Sequence, residues 1–331
     1  MTFSWSSQLA SDVNGSEHCS LDALPSRLDG RFEHLVVSAT YEERALQVWQ
    51  TLRSHVRGRK FVCHNANHSS YLKERVDAFR TEDPKSELVS LNSDLPLQTF
   101  DAIREMIEDL RKSGPCHVAI DLTGFTREAL AILLYLGRQQ LVPGSTMVCV
   151  YHKAGGYGRS PGGGWLSQGV REIRSVLGYS GQMRLGAECH LVLLPGFEVE
   201  RAKEIVDVVR PTRISLGNAP AARSVSGELH DVATGFLRRL EALSSGTAMD
   251  KFEFSSVDPY FTKGRVLEIV DSSVGKNVVL ACLNAKPATV GACLAAMERP
   301  ATQLVYAQPI AYNIGAYSTP SQRALFFTVA V

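Results

Sequence analysis

The apolar positions of this chain fall into short runs that alternate with longer amphipathic segments. A short run bounded by turn residues, such as Leu35 to Ala39, predicts a buried strand. Apolar positions spaced by three and four residues, as between Glu42 and His55, predict a helix. Because parallel strands need crossover connections, strands that alternate with helices predict an α/β fold whose mainly parallel sheets are covered on both faces.

The same pattern assigns the other elements. Predicted strands occupy residues 35–39, 60–63, 87–91, 116–121, 146–151, 190–194, 212–216, 251–255, 277–282 and 303–307. Predicted helices occupy residues 42–55, 71–80, 97–113, 126–140, 198–209, 226–243 and 288–297. The apolar residues 324–331 form a last strand that completes a sheet.

A strand-to-helix phrase occurs twice, at residues 34–45 and, with one residue inserted, at residues 190–202. Each copy has an aromatic-Glu step followed by Arg-Ala, and the later elements follow both copies in the same order. We therefore predict an internal duplication into two tandem Rossmann-like units, at residues 31–152 and 189–331, related by a pseudo-two-fold axis. The pattern alone also fits one long doubly wound sheet.

The Glu and Arg of each copy have two interpretations. Glu42 and Arg44, like Glu198 and Arg201, stand at a predicted helix start, where a carboxylate suits the helix dipole and a nearby arginine can pair with it. Contact with a ligand is the other interpretation, and repetition in both halves does not distinguish the two.

Two segments lie outside the predicted units. Residues 1–30, rich in Ser, Asp and Asn, form an N-terminal arm that is either loose or docked. Residues 153–188 contain a helix and a Gly-rich stretch, and glycine and proline there predict a mobile loop over 153–165. This loop is either an interdomain linker or a lid, and a lid could place Lys153 and Arg159 over a polyanionic ligand.

Composition and charge narrow the class of protein. With 331 residues, 44% hydrophobic and 21% charged, the chain is expected to be globular, and its formal charge of +1 gives no field that favours duplex nucleic acid or an anionic membrane. The longest apolar stretch, Ala129 to Leu136, is too short to span a membrane, and the N-terminus has no signal-peptide pattern. We expect a cytoplasmic location.

No metal or cofactor is predicted. The seven cysteines form no CxxC pair, and most stand in apolar runs, which is typical of reduced, buried thiols. Cys63 and His64 with His68 form the one tempting group, but no second pair of ligands follows.

Candidate ligand contacts follow the predicted strands, because parallel sheets bind ligands beyond the carboxyl ends of their strands. Thr40 and Tyr41 follow the first strand. The fourth strand ends in Asp121-Leu-Thr-Gly-Phe-Thr-Arg127, a run with features that suit an anion. Its two hydroxyls, its glycine, the free amides of the next helix and its cation belong to Thr123, Gly124, Thr126 and Arg127. A structural alternative has a threonine capping the helix while Asp121 accepts bonds from neighbouring amides.

The second half carries a sparser version of this turn. Asn284 and Lys286 follow the equivalent strand, and Pro287 suits the first helical turn. One cation after each equivalent strand predicts two positive charges around a shared, asymmetric cleft, which suits a phosphorylated ligand with its own approximate two-fold symmetry.

These turns resemble those of CARF domains, the CRISPR-associated Rossmann fold. Members commonly carry Asp-x-Thr-Gly-Gly-Thr-Lys or Gly-Thr-Lys-Pro here, and this chain has Asp121 to Arg127 in one half and Asn284-Ala-Lys-Pro287 in the other. The resemblance covers the strand-turn-helix cores of both halves. This chain departs from the pattern at Phe125, which replaces the second glycine, and at Pro195-Gly196, which replaces a polar pair.

The resemblance implies a cyclic oligonucleotide bound between two Rossmann-like units. Carried over residue by residue, it assigns Thr40, Tyr41, Thr126 and Arg127 to one side, and Gly196, Phe197, Asn284 and Lys286 to the other. Since no effector domain or catalytic motif is recognisable, we expect a nucleotide second-messenger sensor in antiviral defence that acts with a partner effector. A metal-independent phosphodiesterase of the ring-nuclease kind and a non-catalytic scaffold are alternatives, and the sequence leaves a homo-oligomer open.

Overall fold

The computed structural model describes residues 15–66, 70–112, 114–157, 166–243, 246–314 and 318–331. His68 and Arg159, both named above, lie outside the described residues. The described strands are β1 Glu17–Ser20, β2 His34–Ala39, β3 Lys60–Asn65, β4 Glu87–Leu91, β5 His117–Asp121, β6 Thr146–Tyr157, β7 Ser167–Ser175, β8 Cys189–Leu194, β9 Arg213–Asn218, β10 Ala248–Glu253, β11 Asn277–Cys282, β12 Gln303–Tyr312 and β13 Ser318–Ala330. The described helices are α1 Leu24–Arg27, α2 Glu43–Leu52, α3 Ser70–Glu82, α4 Pro96–Arg111, α5 Arg127–Gln140, α6 Val199–Val209, α7 Gly227–Leu243, α8 Pro259–Ser272 and α9 Lys286–Glu298.

The strands form two mixed, mainly parallel sheets with matching order. One sheet has seven strands in the order β1-β13-β6-β5-β2-β3-β4, and the other has six in the order β10-β9-β8-β11-β12-β7. In each sheet five neighbouring strands are parallel, whereas β13 pairs antiparallel with β6 and β7 pairs antiparallel with β12. The predicted α/β class with two Rossmann-like units is confirmed.

The two halves exchange their antiparallel strands. Strand β7 follows β6 along the chain but joins the second sheet, and β13 follows β12 but joins the first. The division at residues 152 and 189 therefore differs from sheet membership, because β13 lies in the first sheet and β7 lies inside the segment treated as a connection. A local pattern identifies a strand but does not say which sheet it pairs with.

The predicted helix within residues 153–188 is replaced by strand β7. Val170 and Ile173 are three residues apart, as on a helix face, yet both pack on the core of the second unit. A β-bulge explains this, because Val170 pairs with Pro309 while Glu172 pairs with Gln308, which leaves one extra residue on β7. The bulge brings side chains at an odd spacing to one face of the sheet.

The start of the predicted mobile loop also belongs to a strand. Residues 153–157 extend β6 and pair with β13 alone. Glycine fits this ribbon because a Cβ atom at Gly155 would lie 2.8 Å from the carbonyl oxygen of Pro320. The linker and lid interpretations of the remaining residues, including Arg159, concern residues that the structure does not describe.

Helix α8 was not predicted. Its buried side chains are few, with Val266 among them, so the apolar spacing is weak. A local signal was nevertheless present: Asp258 accepts hydrogen bonds from the amides of Tyr260 and Phe261, and Pro259 occupies the first turn.

The elements stack in five layers around three apolar cores. Helices α4, α5, α8 and α9 fill the space between the two sheets, and the largest core unites them with the inner faces of both sheets. Helices α2 and α3 cover the outer face of the first sheet, and α6 and α7 cover that of the second. The turns that follow β5 and β11 are in contact across the boundary between the units.

The Arg-Glu pair of each repeated phrase is buried and holds an exchanged strand. The Arg44 guanidinium donates to both carboxylate oxygens of Glu42, at 3.0 and 2.8 Å, and to the carbonyl oxygen of His152 at 2.6 Å. Ser318, the first residue of β13, donates its hydroxyl to Glu42 at 2.6 Å. In the second unit Arg201 likewise binds Glu198 and the carbonyl oxygen of Ala307, and Ser167 of β7 donates to Glu198. The pairs therefore connect helix, strand and exchanged strand.

Removal of Arg44 should be strongly destabilising. Arg44→Ala leaves the Glu42 carboxylate buried without its partner, so we expect the free energy of unfolding to fall by about 3–5 kcal/mol in urea denaturation followed by circular dichroism. Arg104, whose side chain is 40% exposed and pairs with acidic neighbours on α4, is the control, and Arg104→Ala should change stability by less than about 0.5 kcal/mol. Equal effects of the two substitutions would contradict the structural role of the buried Arg44–Glu42 pair.

Candidate functional site

Two clefts open at the carboxyl ends of the parallel strands. The first cleft, of about 830 Å³, lies in the first unit and also receives Lys286 and Tyr312 from the other half of the chain. The second cleft, of about 640 Å³, lies in the second unit and receives Tyr157 from the first. Arg127 lines both clefts, so they adjoin at the boundary between the units.

The structure brings most of the predicted ligand-binding residues to these clefts. The first cleft is lined, among others, by Thr40, Tyr41, Thr123, Gly124, Thr126, Arg127 and Lys286. The second is lined by Asn284, with Gly196 and Phe197. Asp121 and Lys153 line neither cleft, and Arg159 lies outside the described residues.

Asp121 shapes the turn after β5. Its side chain is fully buried, and one carboxylate oxygen accepts a hydrogen bond from the Thr123 amide at 3.0 Å. The other oxygen, within the described part of the chain, has no hydrogen-bond partner. Burial raises the pKa of Asp121 to about 7. Since a fully buried group cannot reach a ligand in the cleft, the expectation of ligand contact at Asp121 is replaced by a structural role.

The threonines of this turn combine structural bonds with exposure to the cleft. Thr126 caps α5 by accepting a hydrogen bond from the Ala129 amide at 3.2 Å, and Thr123 accepts one from the His152 amide at 3.1 Å. Glycine is required between them, because a Cβ atom at Gly124 would lie 2.4 Å from the carbonyl oxygen of Ser38. The turns after β2 and β5 are therefore packed tightly, and their threonines line the first cleft.

The two helix-start cations bind carbonyl oxygens of the opposite unit. The Arg127 guanidinium donates to the carbonyl oxygens of Leu283, at 2.7 Å, and Asn284, at 2.9 and 3.1 Å. The Lys286 ammonium donates to the carbonyl oxygen of Phe125. Both cations were predicted to stand around a shared cleft, and they do line the first cleft, but the Arg127 side chain is only 15% exposed and Lys286 is partly buried. Each cation fastens the turn that precedes the other.

Lys286 has a pKa close to neutrality. Desolvation and the nearby Arg127 guanidinium lower the pKa of Lys286 to about 7. An anion in the first cleft would favour the charged form and raise this pKa again. The cleft therefore contains a group whose charge responds to an anionic ligand.

Aromatic rings pair across the boundary between the units. Tyr41 contacts Tyr312 from the end of β12, with ring centroids 5.7 Å apart, and Phe197 contacts Tyr157 from the end of β6 at 5.3 Å. Neither Tyr312 nor the pairing of Tyr157 with the second unit was predicted. The repeated aromatic-Glu step was a signal for one ring of each pair, but the partner ring lies in the other half of the chain.

Polar residues at the ends of β3 and β4 were also missed. Asn65 donates to the Ser93 hydroxyl at 2.6 Å, and both residues line the first cleft. Their positions directly after predicted strands were the available signal.

The second cleft is more apolar than the first. Its lining includes Phe197, Val225 and Leu237, and the buried side-chain oxygen of Asn218 has no hydrogen-bond partner in the described structure. At the register position of Asp121 the second unit has Ala281, since Ile120 pairs with Val36 as Leu280 pairs with Val192. The sequence predicted more polar and charged side chains in the turn after β5 than in the turn after β11, and this corresponds to the more apolar second cleft.

The described ranges contain neither a metal site nor a membrane-spanning helix. There, no group of three His, Cys, Asp or Glu residues is arranged to hold a metal ion. Cys63 is buried, and burial raises the pKa of its thiol to about 12, which disfavours the thiolate that binds metals. Among the same residues, no helix is both long and apolar enough to cross a bilayer.

Comparison with known proteins shows similarity of fold. No protein-family model and no curated protein matches the chain. A solved structure of a Type III CRISPR defence DNA nuclease activated by cyclic oligoadenylate is similar, with a TM-score of 0.50 and 10% identity over 79% of this chain. This chain spans 63% of the length of that nuclease. UDP-GlcNAc 2-epimerase from Neisseria meningitidis matches at 10% identity over 75% of this chain and 76% of the epimerase chain. Its TM-score of 0.26 is too low to indicate a shared fold.

The buried carboxyl of Asp121 should make stability depend on pH. Its folded pKa of about 7 lies above the unfolded value of about 3.9, so the proton bound only in the folded state is lost as pH rises through this window. We expect the free energy of unfolding to decrease by up to about 1.4 kcal/mol per pH unit from this group. In urea titrations between pH 4.5 and 7.5, Asp121→Asn should gain stability relative to the wild type as pH rises. Asp22→Asn, at an exposed site, controls for loss of a carboxylate, and a parallel response of all three proteins would contradict the assignment.

Proposed function

We propose that this protein is a sensor that binds a cyclic oligonucleotide in the first cleft and acts with a separate effector, in antiviral defence. The observation that carries the proposal is that two cations, Arg127 and Lys286, line the first cleft together with threonines at the carboxyl ends of parallel strands. The cations come from different units, so the ligand site exists only where the units meet.

The chemistry of the first cleft suits a nucleotide. Hydroxyls of Thr40 and Thr126 and the amides at the start of α5 can bind phosphate oxygens, and the cations supply charge-assisted bonds. Tyr41 and Tyr312 present aromatic surface on which a base can stack.

The cross-unit bonds give such a sensor a way to report occupancy. A ligand phosphate would compete for Arg127 and Lys286 with the carbonyl oxygens of Asn284 and Phe125 that they bind in the free protein. Weaker bonds between the two turns would change how the units pack. A partner that contacts both units can respond to this change. Fold similarity to a nuclease described as activated by cyclic oligoadenylate supports the choice of ligand class.

Isothermal titration with cyclic tri-, tetra- and hexa-adenylate tests the ligand class. We expect at least one ring size to bind and to be recovered intact by liquid chromatography. Thr40→Val, which removes a hydroxyl at constant shape, and Lys286→Met, which removes a charge, should each weaken binding roughly tenfold or more. Lys203→Met is the control because Lys203 lies on α6, paired with Asp207 and outside both clefts. If no ring binds, the sensor proposal fails and the scaffold alternative gains support.

The affinity for the ligand should decrease above neutral pH. Because the free pKa of Lys286 is about 7 and a bound phosphate raises it, binding takes up a proton between the two values. We therefore expect affinity to fall by up to about tenfold per unit between pH 7 and 8.5 at constant ionic strength. In Lys286→Met this slope should disappear, and a slope unchanged in the variant would rule out Lys286 as its source.

A ring-nuclease activity in the same cleft is the second candidate. A lysine with a pKa of about 7 can accept a proton when neutral and donate one when charged, as general acid-base catalysis requires. Attack of a ribose 2'-oxygen on the adjacent phosphorus would form a 2',3'-cyclic phosphate and release the 5'-oxygen, which takes up a proton. Linear products from the titrated ligand, absent in Lys286→Met, would favour the enzyme over the sensor.

A further inference from the structure

Lys153, one of the predicted ligand contacts, lies in a second basic site away from both clefts. This basic crevice consists of Lys153 on β6, Arg323 on β13 and His18 on β1. Leu325 of β13 pairs with His18 of β1 and with Tyr151 of β6, so these three side chains lie on one face of the sheet. Side chains alternate along a strand, so Arg323, two residues before Leu325, lies on the same face. Lys153, two residues beyond Tyr151, lies on that same face, which is turned toward the second unit.

The Lys153 side chain is largely buried and has no acidic partner among the described residues. The residue is only 8% exposed, and no carboxylate or other acceptor binds its side chain within the described part of the chain. Burial and the neighbouring Arg323 lower the pKa of Lys153, and Lys153 and Arg323 in turn help to lower the pKa of His18. A buried charge without a partner is costly, so this arrangement favours binding of an anion.

The equivalent place in the other unit shows what the crevice lacks. Arg201 binds the carbonyl of Ala307 as Arg44 binds that of His152, so the next residues, Gln308 and Lys153, correspond. Gln308 donates to the Asp94 carboxylate at 2.7 Å, and Arg171 binds the same carboxylate at 3.0 Å.

The counterpart of Asp94 is Val257. Thr99 exchanges hydrogen bonds with the backbone of Asn92, and Thr262 does the same with Ser255, so the residues two positions after Asn92 and Ser255 correspond. A valine cannot accept a hydrogen bond. One crevice therefore contains its own carboxylate, and the other has an apolar side chain where that carboxylate would stand.

We propose that the basic crevice is a binding site for a tetrahedral oxyanion, a phosphate or a phosphoryl group of a small molecule. The ammonium of the largely buried Lys153 and the exposed side chains of Arg323 and His18 provide the hydrogen-bond donors. Asp258 is the acidic group beside His18, and one of its oxygens is engaged by the amides of Tyr260 and Phe261 at the start of α8. The site goes beyond the proposed sensor function, because Lys153 lines neither cleft.

Inorganic phosphate is the probe for this site. Thermal unfolding of the wild-type chain is measured with increasing phosphate, with sodium chloride adjusted to constant ionic strength, and we expect the midpoint to rise with saturation. Lys153→Met should weaken the apparent phosphate affinity roughly tenfold and should itself unfold at a higher midpoint, because a buried unpaired charge is removed. Lys153→Gln, which copies Gln308, keeps the test available if the methionine variant does not fold.

Lys286→Met separates this site from the first cleft. In Lys286→Met, phosphate should still raise the unfolding midpoint. If phosphate instead stabilises Lys153→Met but not Lys286→Met, phosphate binds in the first cleft and the proposal is overturned. Sulfate should act like phosphate, whereas stronger stabilisation by acetate would overturn the tetrahedral class. If phosphate does not change the unfolding midpoint of the wild type, the proposed anion site is also overturned. None of these results depends on whether a cyclic oligonucleotide binds, so the two proposals can fail separately.

Discussion

Each repeated phrase contributes a buried arginine that binds a glutamate of its own unit and a backbone carbonyl of a neighbouring strand. The same glutamate accepts a hydrogen bond from a serine hydroxyl on the strand exchanged from the other half. Arg44 and Glu42 do this for β13, and Arg201 and Glu198 do it for β7. A buried pair of this kind is maintained only while every partner is present, because a lone buried charge is strongly unfavourable. The exchange of the two antiparallel strands therefore ties the two units together. Neither sheet has its full set of strands without the other half.

The position of the clefts follows from this exchange. Strands β6 and β12 continue past their parallel neighbours, paired there with the exchanged strands alone, and these extensions carry Tyr157 and Tyr312 into the cleft of the opposite unit. Arg127 and Lys286 cross in the same way at the starts of α5 and α9. A ligand in either cleft thus contacts both halves of the chain.

The local elements were predictable, whereas their partners were not. The strands from β2 to β6 and from β8 to β12 follow from apolar runs and turn residues, which act within a few positions of the chain. Helix α8 was not predicted because its apolar face is narrow, and β7 lies in the segment that was predicted to contain a helix, where a bulge gives its apolar residues a helical spacing. Similarity to the cyclic-oligoadenylate-activated nuclease is one of fold, and the duplication itself stays a prediction.

The sequence by itself determined the α/β class, the repeated order of elements and the turns that carry hydroxyls and cations, since these depend on neighbours in the chain. Only the tertiary structure decided what those side chains reach. Arg127 binds a carbonyl 157 positions away and Ser318 binds a carboxylate 276 positions away. Such contacts arise from sheet pairing and core packing, which no local pattern encodes. For the same reason Asp121 and Lys153, read from the sequence as ligand contacts, became a buried turn residue and an unpaired ammonium outside the clefts.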